Sequence, residues 1–360
     1  MNKASRGNFF EDFVVGQKLV HAVPHTITEG NTALYISLTI DRHPLFCDAE
    51  FARGLGFQRE LVHDLLVFHT VFGKSVSDIS LNAVANLGYA DLRFLQPVYV
   101  GDTLRAESEV IGKRENSNGK SGIVYVQTKG YNQNDEQVLQ FYRWVMVHKS
   151  NTATKTGDNH VPDLPAAVSV DQLVVPEDLD LSRFDASRTG GRWAFEDYQV
   201  RERIHHLVGM TIEESDHMSA TRLYQNTAKP HFDLHLVKQT GGERRLVYGG
   251  HIISLAYSHA FNGLENALHL LAWNSGTHSN PSYAGDTIYA FSDVLETAEL
   301  PGRNDLGALR LRMIGVKNHN PAESDIDIKI EQNGKSKYHP NVVLDLDYWV
   351  AVPKKSVIGG

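Results

Sequence analysis

The sequence predicts an α+β protein made of two tandem copies of one unit, each a curved antiparallel sheet wrapped around a central helix. Three observations carry that expectation. The stretch "PVYVGDTLRAESEV" at 97–110 returns as "PSYAGDTIYAFSDV" at 281–294. Each half holds one run with helical periodicity. The remainder of each half alternates apolar and polar residues with period two between turn residues, as antiparallel hairpins do.

The repeat extends well beyond that motif. An offset of 185 aligns "FEDF" (10–13) with "FEDY" (195–198), "TITE" (26–29) with "TIEE" (211–214), and Leu61-Val62 with Leu246-Val247. At the GDT motif the offset is 184, one deletion, and at Gly130 and Gly315 it is 185 again. The closing strands "YRWVMV" (142–147) and "DYWVAV" (347–352) correspond after an insertion of about 20 residues. A colinear series of this kind is the signature of a duplicated unit. The expected division is 1–150, a connector over 151–191 rich in Ser, Thr, Asp, Pro and Gly, and 192–360. A fused pair of this kind builds an internal pseudo-twofold, the symmetry most oligomers use.

Each half opens with a strand ("QKLVHAVPHTIT" in the first) and continues through a loop region to a helix. In the first half Leu61, Leu65, Phe68 and Phe72 draw an apolar stripe. In the second, a longer stripe runs through Ile252, Ala256, Ala260, Leu264, Ala267 and Leu271. Strands then follow in "LRAESEVIG", "GIVYVQTKGYN", "VLQFYRWVMVHK", "IYAFSDVLET" and "ALRLRMIGV", separated by turn signals such as "NSNGKSG" and "EQNGKSK". GDT reads as a turn feeding a long strand, without chemistry of its own.

Bulk properties narrow the function. Length 360 suits two domains; 41% hydrophobic and 22% charged residues are those of a globular protein. A net charge of −8 leaves no basic footprint for nucleic acid and disfavours an anionic membrane surface. No stretch reaches the roughly 20 apolar residues of a membrane span. A single cysteine, Cys47, excludes an internal disulfide and a Cys-based zinc cluster. The start, "MNKASRGNFFEDF", lacks a secretory apolar stretch, so a reducing cytoplasm is the expected location.

Within "YISLTIDRHPLFCDAEFARGLGFQRELVHDLL" and "LRFLQPVYVGDTL", Asp41, Pro44, Val62, His63, Pro97, Gly101 and Asp102 fall in register with a known pattern. They resemble the MaoC-like hot-dog hydratases, the (R)-specific enoyl-CoA hydratases, and the resemblance covers nearly the whole chain, once per half. It implies a double hot-dog fold and reversible hydration of an enoyl-CoA. Across "LNAVANLGYADLRF" and "RLYQNTAK" it extends to members acting on mesaconyl-CoA, which implies conversion of that short branched ester to β-methylmalyl-CoA in carbon assimilation. The family's Asp, and a His five residues later, hold a water that adds to the β-carbon. A backbone N–H at the start of the central helix supports the enolate oxygen.

The pattern is split between the halves. Asp41 is present in the first half, but Phe46 stands where the His belongs; at the matching second-half positions stand Asn226 and His231. Pro44 lies three residues after Asp41, whereas Pro230 lies four after Asn226. Three assignments are open. His231 is the base with Asn226 fixing the water by its amide; or Asp41 is the base with His43 in place of the lost histidine; or Asp41 and His231 converge across the pseudo-twofold. Gly249 and Gly250 in "VYGGHI" weigh toward the first, because they allow a thioester oxygen close to the backbone. Their first-half counterpart, "VHDLLV", puts Asp64 there, and a negative charge opposes an enolate. With 18 histidines in the chain, only its mapped position singles out His231. Asp41 can equally cap a turn, and His63 can equally be a packed helix-start residue.

A substrate such as mesaconyl-CoA carries a free carboxylate that must find a cation when buried. Lys229, inside the Asn226–His231 loop, is the first candidate, followed by Arg222, Arg42 and Arg93. No cofactor is implied, since water addition needs no redox or metal chemistry, and no phosphate-binding glycine loop is present. The expected partners are an acyl-CoA ester and further copies of the chain. A hot-dog thioesterase and a non-catalytic acyl-CoA-binding protein are the alternatives.

Overall fold

The structure is a computed structural model that describes residues 3–359. In the first half β1 (Lys18–Thr26) leads to helix α1 (Glu29–Thr39), the central helix α2 (Asp64–Ser75), and strands β2 (Ala83–Phe94), β3 (Thr103–Glu115), β4 (Ser121–Tyr131) and β5 (Gln137–His148). The second half repeats the order. It has β6 (Arg203–Thr211), α3 (Glu214–Leu223), central helix α4 (Gly249–Ala260), β7 (Leu270–His278), β8 (Thr287–Glu299), β9 (Leu306–Lys317) and β10 (Val342–Pro353).

The ten strands form one antiparallel sheet in the order β1-β3-β4-β5-β2-β7-β10-β9-β8-β6. That order is palindromic: each half contributes the same five-strand path, and the paths meet where β2 pairs β7 through Tyr89–Gly276, Ala90–Ser275, Leu92–Trp273 and Arg93–Ala272. The duplication read from the sequence is therefore a pseudo-twofold in space.

The two central helices share one core. All twelve residues of α2 are buried, and Phe68 meets Trp273 with ring centroids 4.7 Å apart while Phe72 meets Tyr248 at 5.6 Å. His69 of α2 and Ser254 of α4, equivalent positions in the repeat, hydrogen bond to each other at 2.8 Å near the axis. Helix α2 is buried on its polar side as well as its apolar stripe, and its hydroxyls are satisfied within it, Thr70 Oγ1 donating to the Leu66 carbonyl at 2.8 Å and Ser75 Oγ to the Phe72 carbonyl at 2.7 Å.

The repeated GDT is a turn with a defined job. Gly101 and Gly285 adopt φ of 94° and 92°, where glycine avoids the clash any Cβ would make. Asp102 accepts from Tyr99 N–H and Asp286 from Tyr283 N–H, both at 2.9 Å. The threonine that follows bonds its counterpart on the half's first strand, Thr103 with Thr26 and Thr287 with Thr211, each at 2.7 Å.

Two expectations need correction. The long stripe of the second half overruns its helix: α4 ends at Ala260, and Leu264, Ala267 and Leu271 are buried in the following turn and in β7. Gly263 at φ 106° reverses the chain there. In addition, the region read as loop after each opening strand contains a helix, α1 or α3, and these two pack on one another. Thr28 announces α1 through a capping box with Asn31.

The segment 151–191 is packed rather than loose. Val168, Leu179 and Leu181 are buried against Leu45, Phe51, Leu55 and Phe57 of the first half and against Leu300 and Trp349 of the second. Trp349 Nε1–H donates to the Val168 carbonyl at 3.2 Å.

Candidate active site

A cavity of about 310 Å3 lies where α4 begins, between the two halves. Its walls combine Phe72, Val76, Asn86, Tyr89 and Arg143 from the first half with Asn226, His231, Tyr248, Gly249, Ile252 and His278 from the second. Several polar atoms on this wall are buried without a protein partner: both amide atoms of Asn86, Arg143 Nε, Tyr248 Oη, Ser282 Oγ and His278 Nδ1. Buried polar atoms are normally satisfied, so such a collection marks a place built for a polar ligand.

His231 ends a short turn, Lys229–His231, with Pro230 at its second position. Its Nδ1 lies 2.9 Å from the Leu246 carbonyl, which can only accept, so Nδ1 carries the proton and Nε2 keeps its lone pair. The turn is anchored by Leu246 N–H donating to the Pro230 carbonyl at 3.0 Å. Burial pushes the His231 pKa down to about 4, against a partial opposing effect of the Leu246 carbonyl. The imidazole is thus neutral near pH 7, the state a base requires. Asn226 is 4% exposed, and its Oδ1 accepts from Ala228 N–H at 3.0 Å, which leaves Nδ2 to donate.

The N-terminus of α4 supplies the second component. Val247 N–H goes to the Ser282 carbonyl and His251 N–H to the Tyr248 carbonyl. Among the described residues, the N–H groups of Gly249 and Gly250 have no acceptor, as the first N–H groups of a helix do not. Gly249 lines the cavity and Gly250 is buried behind it. The positive end of the helix dipole favours an anion there.

The matching place in the first half is filled. His63 accepts Leu65 N–H at Nδ1 and donates from Nε2 to Asp41 at 2.9 Å, while Asp41 also accepts His43 N–H at 2.9 Å. Burial raises the Asp41 pKa, but the bonds from His63 and His43 outweigh it and hold the carboxyl below its ordinary value. Phe46 packs its ring 4.3 Å from that of His63. Asp64, at the start of α2, accepts Leu270 N–H at 3.1 Å from the other half. His43 caps the turn at Pro44–Cys47, and only about 20 Å3 of space remains beside Asp41 and His43. Asp41 does not line the cavity that holds His231, so the two do not converge on it.

None of the four cations named as carboxylate partners lines the large cavity. Arg42 is exposed, 5.3 Å above the Phe261 ring, and Arg222 and Lys229 are exposed. Arg93 is held by Asp91 at 2.6 and 3.1 Å. The cation that does line it is Arg143, between Phe141 and Val145 in "VLQFYRWVMVHK". A charged residue on the inward face of an alternating strand was the signal available. His278 and Tyr248, also on the wall, carry no comparable sequence mark.

The model of the mesaconyl-CoA hydratase family matches residues 1–325. The β-methylmalyl-CoA dehydratase of Chloroflexus aurantiacus is 52% identical over 353 residues, 98% of this chain and 99% of that one. A mesaconyl-CoA hydratase of Cereibacter sphaeroides is 50% identical over 354 residues, 98% and 100% of the two chains. Among solved structures, a putative MaoC domain protein dehydratase from Chloroflexus aurantiacus superposes with a TM-score of 0.93 at 51% identity, over 98% of this chain and 99% of that one. A double-hotdog protein from Mycobacterium tuberculosis gives 0.76 at 26% identity, over 96% and 98%. With its palindromic double sheet around paired helices and relatives matched over nearly their whole length, this chain belongs to the mesaconyl-CoA hydratase family of MaoC-like double hot-dog hydro-lyases.

Proposed function

We propose that this chain hydrates mesaconyl-CoA reversibly to β-methylmalyl-CoA in the cavity shared by its halves, with His231 as the acid–base group. Asn226 Nδ2 donates to the attacking water and His231 Nε2 accepts its proton. The oxygen bonds the β-carbon, and the imidazolium returns a proton to the α-carbon. One C=C π bond and one O–H bond of the water are thereby exchanged for a C–O and a C–H bond. The thioester oxygen becomes enolate-like on the way and is met by the free N–H of Gly249. A positioned base typically contributes 10²–10⁴-fold, and a lost oxyanion donor costs 10²–10³-fold. The observation that carries this reading is the juxtaposition, on one cavity, of a tautomer-fixed neutral histidine and an unpartnered helix N-terminus.

The first half, on this reading, holds no second working site, and Asp41, His43 and His63 keep its loop in place. The division into 1–150 and 192–360 with a connector between them belongs to the same reading. No helix of the described residues is long and apolar enough to cross a membrane. A cytoplasmic location and a homo-oligomer are part of the proposal. Sedimentation of the pure protein tests the oligomer.

The functional test is hydration of mesaconyl-CoA and crotonyl-CoA by the wild type, His231→Ala and Asp41→Ala. Turnover of mesaconyl-CoA that is lost only in His231→Ala supports the reading. Loss confined to Asp41→Ala moves the chemistry to the first half. Release of free CoA from either ester would make the protein a thioesterase, and saturable binding without turnover would make it a binding module.

A further inference from the structure

Arg143 is fully buried, with 0% of its surface exposed. Its Nη2 donates to Ser75 Oγ at 2.9 Å, its Nη1 approaches Ser80 Oγ at 3.4 Å, and its guanidinium lies 4.3 Å over the Phe72 ring. Its Nε has no partner. No carboxylate among the described residues comes within 4.0 Å of it. Burial lowers its pKa, but only to about 10, so the charge persists at neutral pH. A buried cation ordinarily has an anion beside it; this one has two hydroxyls, an aromatic face and a cavity.

We propose that Arg143 recognises the free carboxylate of the substrate, so that the first half supplies specificity to chemistry carried by the second. The inference rests on the mesaconyl-CoA reading above. In that substrate the carboxylate is attached to the very carbon that water attacks, so it must sit in the same cavity as His231, whose wall Arg143 shares. Pairing it with a guanidinium removes the repulsion between the carboxylate and the hydroxide-like oxygen as it arrives. A planar carboxylate also matches the two-pronged donor geometry of arginine. Asn86, opposite Val145 on the neighbouring strand, lines the same wall with both amide atoms unpartnered and adds a neutral donor. The equivalent of Arg143 in the second half is Tyr348, so the cation is supplied by the first half alone. Its presence explains why a half without a working acid–base pair still belongs to the site.

The test compares kcat/KM for mesaconyl-CoA and for crotonyl-CoA, which lacks the free carboxylate, in wild type, Arg143→Met and Arg143→Lys. The ratio of mesaconyl-CoA to crotonyl-CoA is expected to fall about 100-fold or more in Arg143→Met, the usual consequence of truncating one side of a buried charge pair. Arg143→Lys should recover part of it. In parallel, free mesaconate should raise the Tm of the wild type, crotonate should not, and mesaconate should leave Arg143→Met unmoved. Equal losses on both esters in a folded variant, or equal protection of Arg143→Met by mesaconate, would overturn the proposal. Should the wild type fail to hydrate mesaconyl-CoA at all, the functional reading falls. The dicarboxylate-dependent Tm shift then decides Arg143 alone. If Arg143→Met does not fold, Arg143→Lys and Arg143→Gln carry both measurements.

Discussion

Replacing Gly249 with alanine is the sharpest probe of the helix N-terminus. Its backbone φ lies outside the left-handed region, so alanine meets no conformational penalty and the effect is purely one of space. A Cβ there would stand 2.6 Å from His278 Cε1, 2.7 Å from Nδ1 and 2.8 Å from Cγ. An ordinary contact begins at 3.4 Å, so the shortfall is about 0.8 Å. The ring cannot simply swing away, because His278 is held by Tyr89 Oη at 3.3 Å and packs edge-on to the Tyr89 ring. Either His278 intrudes on the cavity or the start of α4 withdraws. An oxyanion donor works at about 2.7–3.1 Å, and a shift of this size takes it out of range. The expected loss in kcat is therefore about 10²–10³-fold, equivalent to about 2.7–4 kcal/mol. The assay is the loss of conjugated-thioester absorbance on hydration of mesaconyl-CoA. Gly54→Ala serves as control, since nothing lies within 4 Å of its added methyl. A folded Gly249→Ala enzyme with kcat within about threefold of wild type would refute the assignment of the oxyanion site.

Other expectations concern the acid–base group and the silent half. His231→Gln keeps a side chain of similar length but removes the base, and should lower kcat by about 10²–10⁴-fold with little change in Tm; intact activity would exclude His231 as the base. Because burial holds His231 at about pH 4, kcat/KM should stay level as pH falls through the ordinary histidine value and decline only near 4. An acid limb at about 6.5 would contradict a desolvated, neutral imidazole. Stability should show the opposite sensitivity. His43, His206, His259 and His278 are held at about 4 and His251 at about 3, each chiefly by burial. Their folded values lie below the unfolded one, so the unfolded chain takes up protons the folded chain refuses. Stability is then full above about pH 6.5 and falls, by up to about 1.4 kcal/mol per pH unit for each group, as pH drops toward 4. Flat Tm values across that window would refute it. Asp41→Ala removes one side of a buried pair and should cost about 3 kcal/mol of stability, while kcat measured well below Tm stays within about threefold. A large loss of kcat at unchanged Tm would return Asp41 to the chemistry.

Much of this molecule is written locally. The GDT turn needs only a glycine at positive φ and an aspartate three residues from its donor, so its two copies are legible as sequence and identical in space. Strand alternation has a fixed period of two, which is why most strands could be read directly; β2 and β7, the pair that joins the halves, were not, and the start of β7 was taken into the helical stripe. Helix α1 escaped because its apolar residues draw no clear stripe and α3 because it is mostly polar, with their start signal confined to one capping box in α1. The stripe through Leu264 and Ala267 misled because burial in a turn looks like burial in a helix when only apolar spacing is seen.

The site divides along the same line. Its second-half loop was legible because Asn226 and His231 hold family positions within six residues of chain. Which of the three assignments applies depends on contacts between distant segments. Phe46 packs on His63, Asp64 takes an N–H from the other half, and Leu246 fixes the His231 tautomer. The alternation of "VLQFYRWVMVHK" does place Arg143 on the inward face of its strand. It does not say what that face meets. A side chain's direction follows from the geometry of its own strand, whereas the cavity it enters exists only once β2 and β7 have joined the halves and brought α2 against α4.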